Sequence, residues 1–369
     1  MTRFGRAGIF LVLMFFLFTA SCNGSNQASS PTLVVPTSPP ASSTVSASAP
    51  SATVLPSTPT SLPNPINYVN PQVYQVEYQA RFIRGNFTVS SLQVYESQPV
   101  EWDSQKDVQI LSTMPDGAQS EKDSLYGNGI YYWKLSNEVN QALAENFGFS
   151  VKLTAYETLT NIDPAGITAY DVNSADYKLY TRPERFIESN DSAIVSLANQ
   201  LSQGKSNPYE MARAFYDYVM DNIHFKKQGK GLLGAKAALQ SKSGEAGEYA
   251  ALFVALCRAK GIPARPVVGY YARTGLDQGA VWAEFYLPPF GWIPADPMTG
   301  QVKNRNYYFG NMDNQRVILD KGFNIMLVPS APGKFVAPYL QVPWFWFYGK
   351  GSADTVSLVG EEWNVTRVP

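Results

Sequence analysis

One stretch, residues 241–297, limits the folds open to this chain more than any other feature. It starts with a glycine-containing turn, continues as an apolar run that stops at Gly261, and ends in three short runs rich in Val, Tyr, Phe and Trp. Glycine ends helices because it adopts left-handed backbone angles, whereas β-branched and aromatic residues favour strands. The order predicts one helix followed by three strands.

A helix followed by strands is also the unit in which thiol enzymes present a nucleophile. The first turn of a helix stabilises a thiolate, because unpaired N–H groups and the helix dipole favour negative charge. A His on a following strand takes the proton, and an Asp or Asn orients that His. The residues at these three positions therefore decide whether the unit can catalyse a reaction.

The motifs of this stretch resemble those of the transglutaminase-like superfamily, which has a papain-like core. That family carries, in order, Gly-x-Cys-x-x-Tyr-Ala, then Leu-Cys-Arg-Ala-x-Gly-Ile-Pro-Ala-Arg, then His-x-Trp-x-Glu and Gly-Trp-x-x-x-Asp-Pro. The matching residues here are Gly244, Tyr249, Ala250, Arg258, Gly261, Ile262, Pro263, Ala264, Arg265, Trp282, Glu284, Gly291, Trp292, Asp296 and Pro297.

Two of the three catalytic positions that the resemblance implies hold alanine. Ala246 stands where the family has Cys, and Ala280 stands where it has His, so only Asp296 remains. A methyl group can neither attack a carbonyl nor carry a proton, and removing one member of such a unit costs nearly as much as removing all of it. We therefore expect a pseudoenzyme, in which Asp296 serves for hydrogen bonds to its own loop.

Few other residues could replace the missing thiol and imidazole, since the chain has two cysteines and one histidine. Cys257 lies about 16 Å along the helix from Ala246 and is predicted to be a small buried residue. His224 precedes the nucleophile position and is predicted to be a partly exposed residue at a helix end. Ser241 and Ser243 are predicted to cap the helix.

The first residues predict export and a membrane anchor. Residues 1–21 combine two arginines with an apolar run, as in a secretory signal, and end in Thr-Ala-Ser before Cys22, which resembles a bacterial lipobox. Lipidation of Cys22 is expected, the alternative being an ordinary cleaved signal. Residues 22–66 are rich in Ser, Pro and Thr and predict a linker. The expected location is extracytoplasmic, anchored to a bacterial membrane by lipid.

The rest of the chain predicts an α+β fold. Alternation of apolar and polar residues near residue 78 is typical of a strand over a core, and more strands follow. Residues 67–160 are therefore assigned to an antiparallel β-sandwich, residues 186–300 to the transglutaminase-like core, and residues 301–369 to a C-terminal β extension. The aromatic run 343–348 is predicted to pack on the sandwich, the alternative being an exposed platform for sugars or an interface.

Composition excludes several partners. A net charge of −1 and 16% charged residues give no sign of nucleic-acid binding. No cofactor and no metal ion is predicted, and Lys226, Lys227 and Lys230 are interpreted as solvated charge. With Cys22 acylated and Cys257 alone, no disulfide is expected.

The leading hypothesis is a tethered, inactive protein that binds or scaffolds a peptide or a cell-envelope polymer. A cleft retained from the family would be lined by Tyr249, Trp282, Glu284 and Trp292. One alternative is an active protease, amidase or protein-glutamine crosslinking transferase with another nucleophile, such as a Ser with a Lys base. Another is a structural lipoprotein with no ligand. A cleft lined by exposed aromatic residues favours binding, whereas a cleft filled by side chains favours the structural alternative.

Overall fold

The computed structural model describes residues 64–136, 144–227, 229, 231–275, 278–327 and 336–369. The predicted signal 1–21, Cys22, the linker up to residue 63, and Lys230 lie outside the described residues. Within the described part of the chain, no helix has the length and apolar character needed to cross a bilayer.

The first described part of the chain is built of strands. Tyr74, Val76 and Tyr78 are buried and alternate with more exposed polar residues, so the first strand has one face on a core. The strands are β1 (Ile66–Ile83), β2 (Phe87–Gln98), β3 (Gln105–Met114), β4 (Gln119–Lys122), β5 (Gly129–Ser136) and β6 (Ala144–Thr160).

Helices dominate the middle of the chain. Asn207 caps one of them by accepting a hydrogen bond from the Tyr209 N–H, and Pro208 fills the first helical position, where no N–H is needed. In chain order the elements are α1 (Ala175–Thr181), α2 (Ser192–Leu201), α3 (Pro208–Asn222), β7 (His224–Phe225), α4 (Ala235–Ser241), β8 (Ser243–Gly244) and α5 (Ala246–Ala259).

Helix α5 is the centre of the core, and every residue from Ala246 to Arg258 is buried. It packs on an antiparallel sheet with the strand order β11-β10-β9-β12. The predicted helix followed by three strands is thus confirmed. The elements are β9 (Ala264–Tyr271), β10 (Gly279–Leu287), β11 (Gly291–Ala295), α6 (Pro297–Val302) and β12 (Arg316–Lys321).

The last strands return to the first part of the chain. They are β13 (Ile325–Met326), β14 (Val336–Ala337), β15 (Trp344–Gly351) and β16 (Ser357–Val368). Strand β15 pairs with β2 and β16 pairs with β1, which completes two four-stranded sheets, β15-β2-β5-β4 and β16-β1-β6-β3. The sandwich therefore takes strands from both sides of the core, and the α+β prediction is confirmed. The boundaries at residues 160 and 301 stay predictions.

Part of the aromatic run packs as predicted. The rings of Phe345 and Phe347 lie against Phe82, at centroid distances of 5.5 and 6.4 Å, in the core between the two sheets. Tyr348 is 41% exposed.

Two side-chain amides join the sandwich to the core sheet. The amide of Gln105 donates to the Ile318 carbonyl (3.1 Å) and accepts from the Ile318 N–H (2.8 Å). Asn128 forms the same pair of bonds with Lys321, at 2.9 and 2.8 Å. Each amide thus satisfies backbone groups of β12 that face the sandwich, as buried polar groups require.

A buried carboxylate lies at the same junction. Asp320 is fully buried, and it accepts hydrogen bonds from the Ser97 hydroxyl (3.3 Å) and the Leu340 N–H (2.8 Å). Burial outweighs these bonds and raises the pKa of Asp320 to about 7. The folded protein therefore holds this proton more firmly than the unfolded chain does.

Replacement of Asp320 by Asn is expected to stabilise the protein at pH 8 by about 2–4 kcal/mol, and much less at pH 4. The stability that the protonated carboxyl contributes is fully present below the unfolded pKa of 3.8 and is lost as the pH rises to the folded value of about 7. The neutral amide can still accept from Leu340 and does not titrate. Urea unfolding from pH 4 to 8 measures the difference, with Asp103→Asn at an exposed carboxylate as control. A difference independent of pH would contradict the assignment.

Candidate functional site

The N terminus of α5 is closed by its own carboxylates. Glu245 is the N-cap residue, and the Glu248 side chain accepts from the Glu245 N–H (2.9 Å) in a reciprocal capping box. The prediction that Ser241 or Ser243 caps this helix is wrong. Ser241 belongs to α4, and its hydroxyl donates to the Ala237 carbonyl. A Glu can cap here because its longer side chain reaches the same N–H groups.

The segment before α5 folds over this end of the helix. Glu248 is buried and also accepts from the Leu233 N–H (2.8 Å), and its burial raises the pKa of Glu248. A Cβ on Gly247 would lie 2.8 Å from the side chain of Leu232, which shows how closely the segment approaches. Ala246, the first residue of α5, is 9% exposed in this setting. The position where the family has its nucleophile is thus nearly covered.

Strand β10 sends alternate side chains to two faces of the core sheet. Val281, Ala283 and Phe285 belong to the apolar cluster around α5, which includes Ala246. Ala280 belongs with Trp282 to a second apolar cluster on the other face. The structure therefore places the two alanines in different clusters.

Asp296 follows β11 and caps α6. One carboxylate oxygen accepts from the Thr299 N–H (2.8 Å), as predicted for a carboxylate that serves its own loop. The other oxygen lies 2.7 Å from a guanidinium nitrogen of Arg316, which comes from β12. Both side chains of this ion pair are 2% exposed. The Asp of the predicted triad therefore has a permanent cationic partner.

The guanidinium of Arg316 is enclosed by aromatic rings. Its carbon lies 5.1 Å from the Trp282 ring centroid, 5.2 Å from that of Tyr271 and 5.6 Å from that of Tyr308. One nitrogen also donates to the Thr299 hydroxyl (3.3 Å). These contacts keep the cation beside Trp282, on the sheet face that also carries Ala280.

A second buried charge group lies further along the same face. Glu284 contacts Arg265 at 2.8 Å and Lys321 at 2.9 Å. Burial opposes the charge of Glu284, but the two cations outweigh it and lower the pKa of Glu284 to about 2. Burial also lowers the pKa of Lys321 to about 8, despite the carboxylate. The Glu284 ion pairs thus stabilise the fold above pH 4.5, and this contribution is lost as the pH falls toward 2.

Three of the four predicted cleft residues lie together. Trp282, Glu284 and Trp292 line one small cavity, which also touches Ser104 and Lys321. Its volume is about 30 Å³, sufficient for one or two water molecules. Residues of β1 and β6, and the two residues before β3, line the other side of this cavity. The place of the predicted cleft is therefore occupied by packed side chains.

Tyr249 lies apart from these three residues. It is buried in the cluster around α5, and its hydroxyl donates to the Ile223 carbonyl (2.7 Å). A further contact joins it to the amide of Gln301 (3.0 Å). Burial raises the pKa of Tyr249 to about 12. The residue ties α5 to the ends of α3 and α6.

The candidate substitutes for catalytic residues are also located. Cys257 is fully buried, as predicted, and burial raises the pKa of its thiol. His224 follows the end of α3 and is exposed, in the short strand β7. In the part of the chain that the structure describes, no group of three or more His, Cys, Asp or Glu residues could hold a metal ion.

Comparison with known families adds the decisive observation. Residues 195–297 match the model of the Transglutaminase-like superfamily. This segment of the chain is a transglutaminase-like domain. It contains α5, the three following strands and Asp296, so the resemblance carried by the sequence motifs is confirmed.

One curated relative matches part of the chain. Over 150 residues the chain is 26% identical to "Uncharacterized protein YebA" of Bacillus subtilis (strain 168), a match over 35% of this chain and 20% of that protein. The chain thus spans about a fifth of the length of this relative.

Two solved structures were matched, with different TM-scores. The chain resembles a protein from Cytophaga hutchinsonii described as a "Putative Cysteine Protease", with a TM-score of 0.57 and 16% identity over 82% of this chain and 93% of that one. For the periplasmic domain of TgpA from Pseudomonas aeruginosa the TM-score is 0.32, at 18% identity over 58% and 89% of the chains. Only the first value indicates a common fold.

Arg316 is the residue that the sequence did not single out. It begins the run Arg-Val-Ile-Leu-Asp-Lys, in which an apolar strand carries charges at both ends, and all six residues are buried. Charged residues are rarely buried unless paired. The sequence did contain a signal for Arg316: an apolar strand with charges at both ends, in a chain whose Asp296 has no His to orient.

Proposed function

We propose that this chain is a membrane-tethered, extracytoplasmic protein whose transglutaminase-like domain is catalytically inactive and acts as a scaffold for cell-envelope components. The observation that carries the proposal is the buried ion pair between Asp296 and Arg316. The tether is proposed from the lipobox-like residues before Cys22 and the linker that follows.

The chain lacks the catalytic thiol and imidazole, and the ion pair is a second obstacle to catalysis. An orienting Asp must accept a hydrogen bond from the catalytic His. Here one oxygen of Asp296 accepts from Thr299 and the other is bound by Arg316. Because the guanidinium is always charged, this partner does not exchange protons at any ordinary pH. Asp296 thus acts in the proposed scaffold as a structural anion.

The packing of the predicted cleft opposes a peptide receptor at this position, and by itself it favours a structural lipoprotein with no ligand. Trp282 and Glu284 are buried, and the cavity they line is far smaller than a peptide-binding groove. Their role is to join the core sheet to the sandwich through buried charges and rings.

An alternative enzyme with a Ser nucleophile and a Lys base has one observation in its favour. Ser104 and Lys321 line the same cavity, and the pKa of Lys321 is lowered to about 8. Against it, Lys321 donates to both oxygens of Glu284, at 2.9 and 3.0 Å. A base held in this way has no lone pair directed at a hydroxyl, so the scaffold is preferred.

The experiment uses the chain from residue 22 with Cys22→Ser, which keeps the linker but cannot be lipidated. Amine incorporation into a Gln-containing protein and hydrolysis of peptide substrates are measured beside an active transglutaminase and an active papain-like protease. We expect no product above the blank. Turnover abolished by Ser104→Ala would support the Ser enzyme, and turnover that survives it would point to another nucleophile; either overturns the proposal.

The scaffold role needs a separate measurement. We expect the same protein to sediment with insoluble peptidoglycan at physiological ionic strength. Recovery in the supernatant would contradict a scaffold on this polymer and favour a structural lipoprotein with no ligand.

A further inference from the structure

The two most exposed large apolar side chains of the described residues come from two segments that are hydrogen-bonded to each other. Val302 at the end of α6 is 74% exposed, and Phe225 in β7 is 61% exposed. The amide of Gln301, next to Val302, donates to the carbonyl of Ile223 (2.9 Å), two residues before Phe225. This bond holds the end of α6 against the start of β7.

The backbone around Phe225 is fixed by hydrogen bonds. Strands β7 and β8 pair in parallel, with Phe225 opposite Gly244. The His224 N–H donates to the Lys242 carbonyl and the Lys226 N–H donates to the Gly244 carbonyl, both at 2.9 Å. Phe225 is therefore presented on a paired strand, and Lys226 and Lys242 are kept close to it.

Positive charge predominates in the segment that carries Phe225. Residues 222–244 contain five lysines and no Asp or Glu, and Lys303 directly follows Val302. Within the described part of the chain, neither Lys226 nor Lys303 takes part in a salt bridge.

Two nearby carboxylates already have cationic partners. Arg305 bridges Asp217 (3.2 Å) and also contacts Asp221. Of the five lysines, Lys236 pairs with Asp191 on the far side of α4. Lys226, Lys242 and Lys303 form no salt bridge within the described residues, although the Lys242 ammonium donates to the Tyr218 hydroxyl, and they place positive charge beside two exposed apolar side chains.

We propose that this docking surface, formed by Phe225, Lys226, Lys242, Val302 and Lys303, binds an anionic lipid bilayer. Lysines near an anionic membrane surface gain from its negative potential, while apolar side chains gain by entering the boundary between headgroups and acyl chains. A soluble polyanion would engage the lysines but would leave Phe225 and Val302 in water. The exposed apolar pair is what favours a bilayer.

The inference goes beyond the proposed scaffold and does not depend on the loss of catalysis. A lipid anchor on Cys22 would raise the local concentration of headgroups, so even weak docking would orient the folded part at the membrane. The test removes this anchor, so that docking is measured alone.

The experiment uses the chain from residue 22 with Cys22→Ser and sedimentation with vesicles. One set contains equal parts of phosphatidylglycerol and phosphatidylcholine, and the other contains phosphatidylcholine alone. We expect at least about 10-fold stronger partitioning to the anionic set at low salt, weakening as salt screens the lysines. Binding to both sets equally, or to neither, would overturn the proposal.

Two double variants separate the contributions of charge and apolar contact. Lys226→Gln with Lys303→Gln and Phe225→Ser with Val302→Ser are each expected to lower partitioning to anionic vesicles by about 10-fold or more. The matched control is Val172→Ser with Lys350→Gln, at exposed positions elsewhere, which should leave partitioning unchanged. All the positions are exposed, and thermal unfolding of each variant verifies its fold.

The pattern of losses decides the outcome. Loss in both test variants and not in the control supports docking on a bilayer. Loss in the lysine variant alone would show a surface for polyanions in general, and equal behaviour of all variants would show non-specific adsorption. Either of the last two results overturns the inference.

Discussion

Replacement of Arg316 by Ala is expected to lower the free energy of unfolding by about 3–5 kcal/mol. The guanidinium is 2% exposed, and its loss leaves the Asp296 carboxylate buried without a cation. The variant also opens space against the rings of Tyr271, Trp282 and Tyr308. Most of the cost comes from the orphaned charge, because a buried ion that has lost its partner is not solvated by water.

A second substitution distinguishes the charge from the cavity. In the Arg316→Ala background, Asp296→Asn removes the negative charge but keeps an oxygen that accepts from the Thr299 N–H. We expect this double variant to be more stable than Arg316→Ala alone. The coupling energy between the two positions should be on the order of 1–3 kcal/mol.

Urea unfolding at neutral pH measures both variants. Arg305→Ala is the matched control, because its guanidinium also bridges two carboxylates but is 44% exposed. Exposed ion pairs contribute little, so a loss within about 1 kcal/mol is expected there. If Arg316→Ala lowered the free energy of unfolding no more than Arg305→Ala does, the buried ion pair would not contribute to stability as described.

Restoring the family's Cys and His is expected to give no catalysis, whether or not Arg316 is removed. Ala246 and Ala280 belong to different apolar clusters, so the new thiol and the new imidazole would lie apart. A thiol is activated only by a base within hydrogen-bond reach. Asp296 is in addition already bound by Arg316 and by the Thr299 N–H. We therefore expect Ala246→Cys with Ala280→His, with or without Arg316→Ala, to stay about 10⁴-fold or more below an enzyme with an assembled triad.

The first measurement is acyl transfer from an activated ester that reacts with thiols. The second is amine incorporation. Turnover by either variant would show that the thiol and the imidazole do meet, and would contradict this prediction. Ala246→Ser in place of Ala246→Cys controls for effects of the added side-chain volume.

The central helix and its strands could be predicted because their signals are local. Gly261 ends the helix with a positive φ of 71°, and the apolar runs after it have the lengths of strands. The motif frame from Gly244 to Pro297 then assigned the family. The same local rules gave a wrong prediction for Ser241. Glu245 caps α5 instead, because its longer side chain can perform the role of a shorter capping residue.

The filled site could not be predicted from local pattern. Arg316 meets Asp296 across 20 residues, and β12 carries a register irregularity between Ile318 and Asp320 that changes the pairing of the residues after it. Strand β16 pairs with β1, so residues from opposite ends of the described chain lie side by side, as Val73 does with Val368. Such contacts depend on the assembled fold, which spacing along a sequence does not encode.

The position of β1 has a mechanical consequence. This strand directly follows the linker and lies between β6 and β16, paired with both along most of its length. A pull on residue 64 along the strand axis would act at right angles to the hydrogen bonds of both ladders, so many bonds would have to shear together instead of opening one by one. The fold therefore resists tension at the end from which it would be tethered.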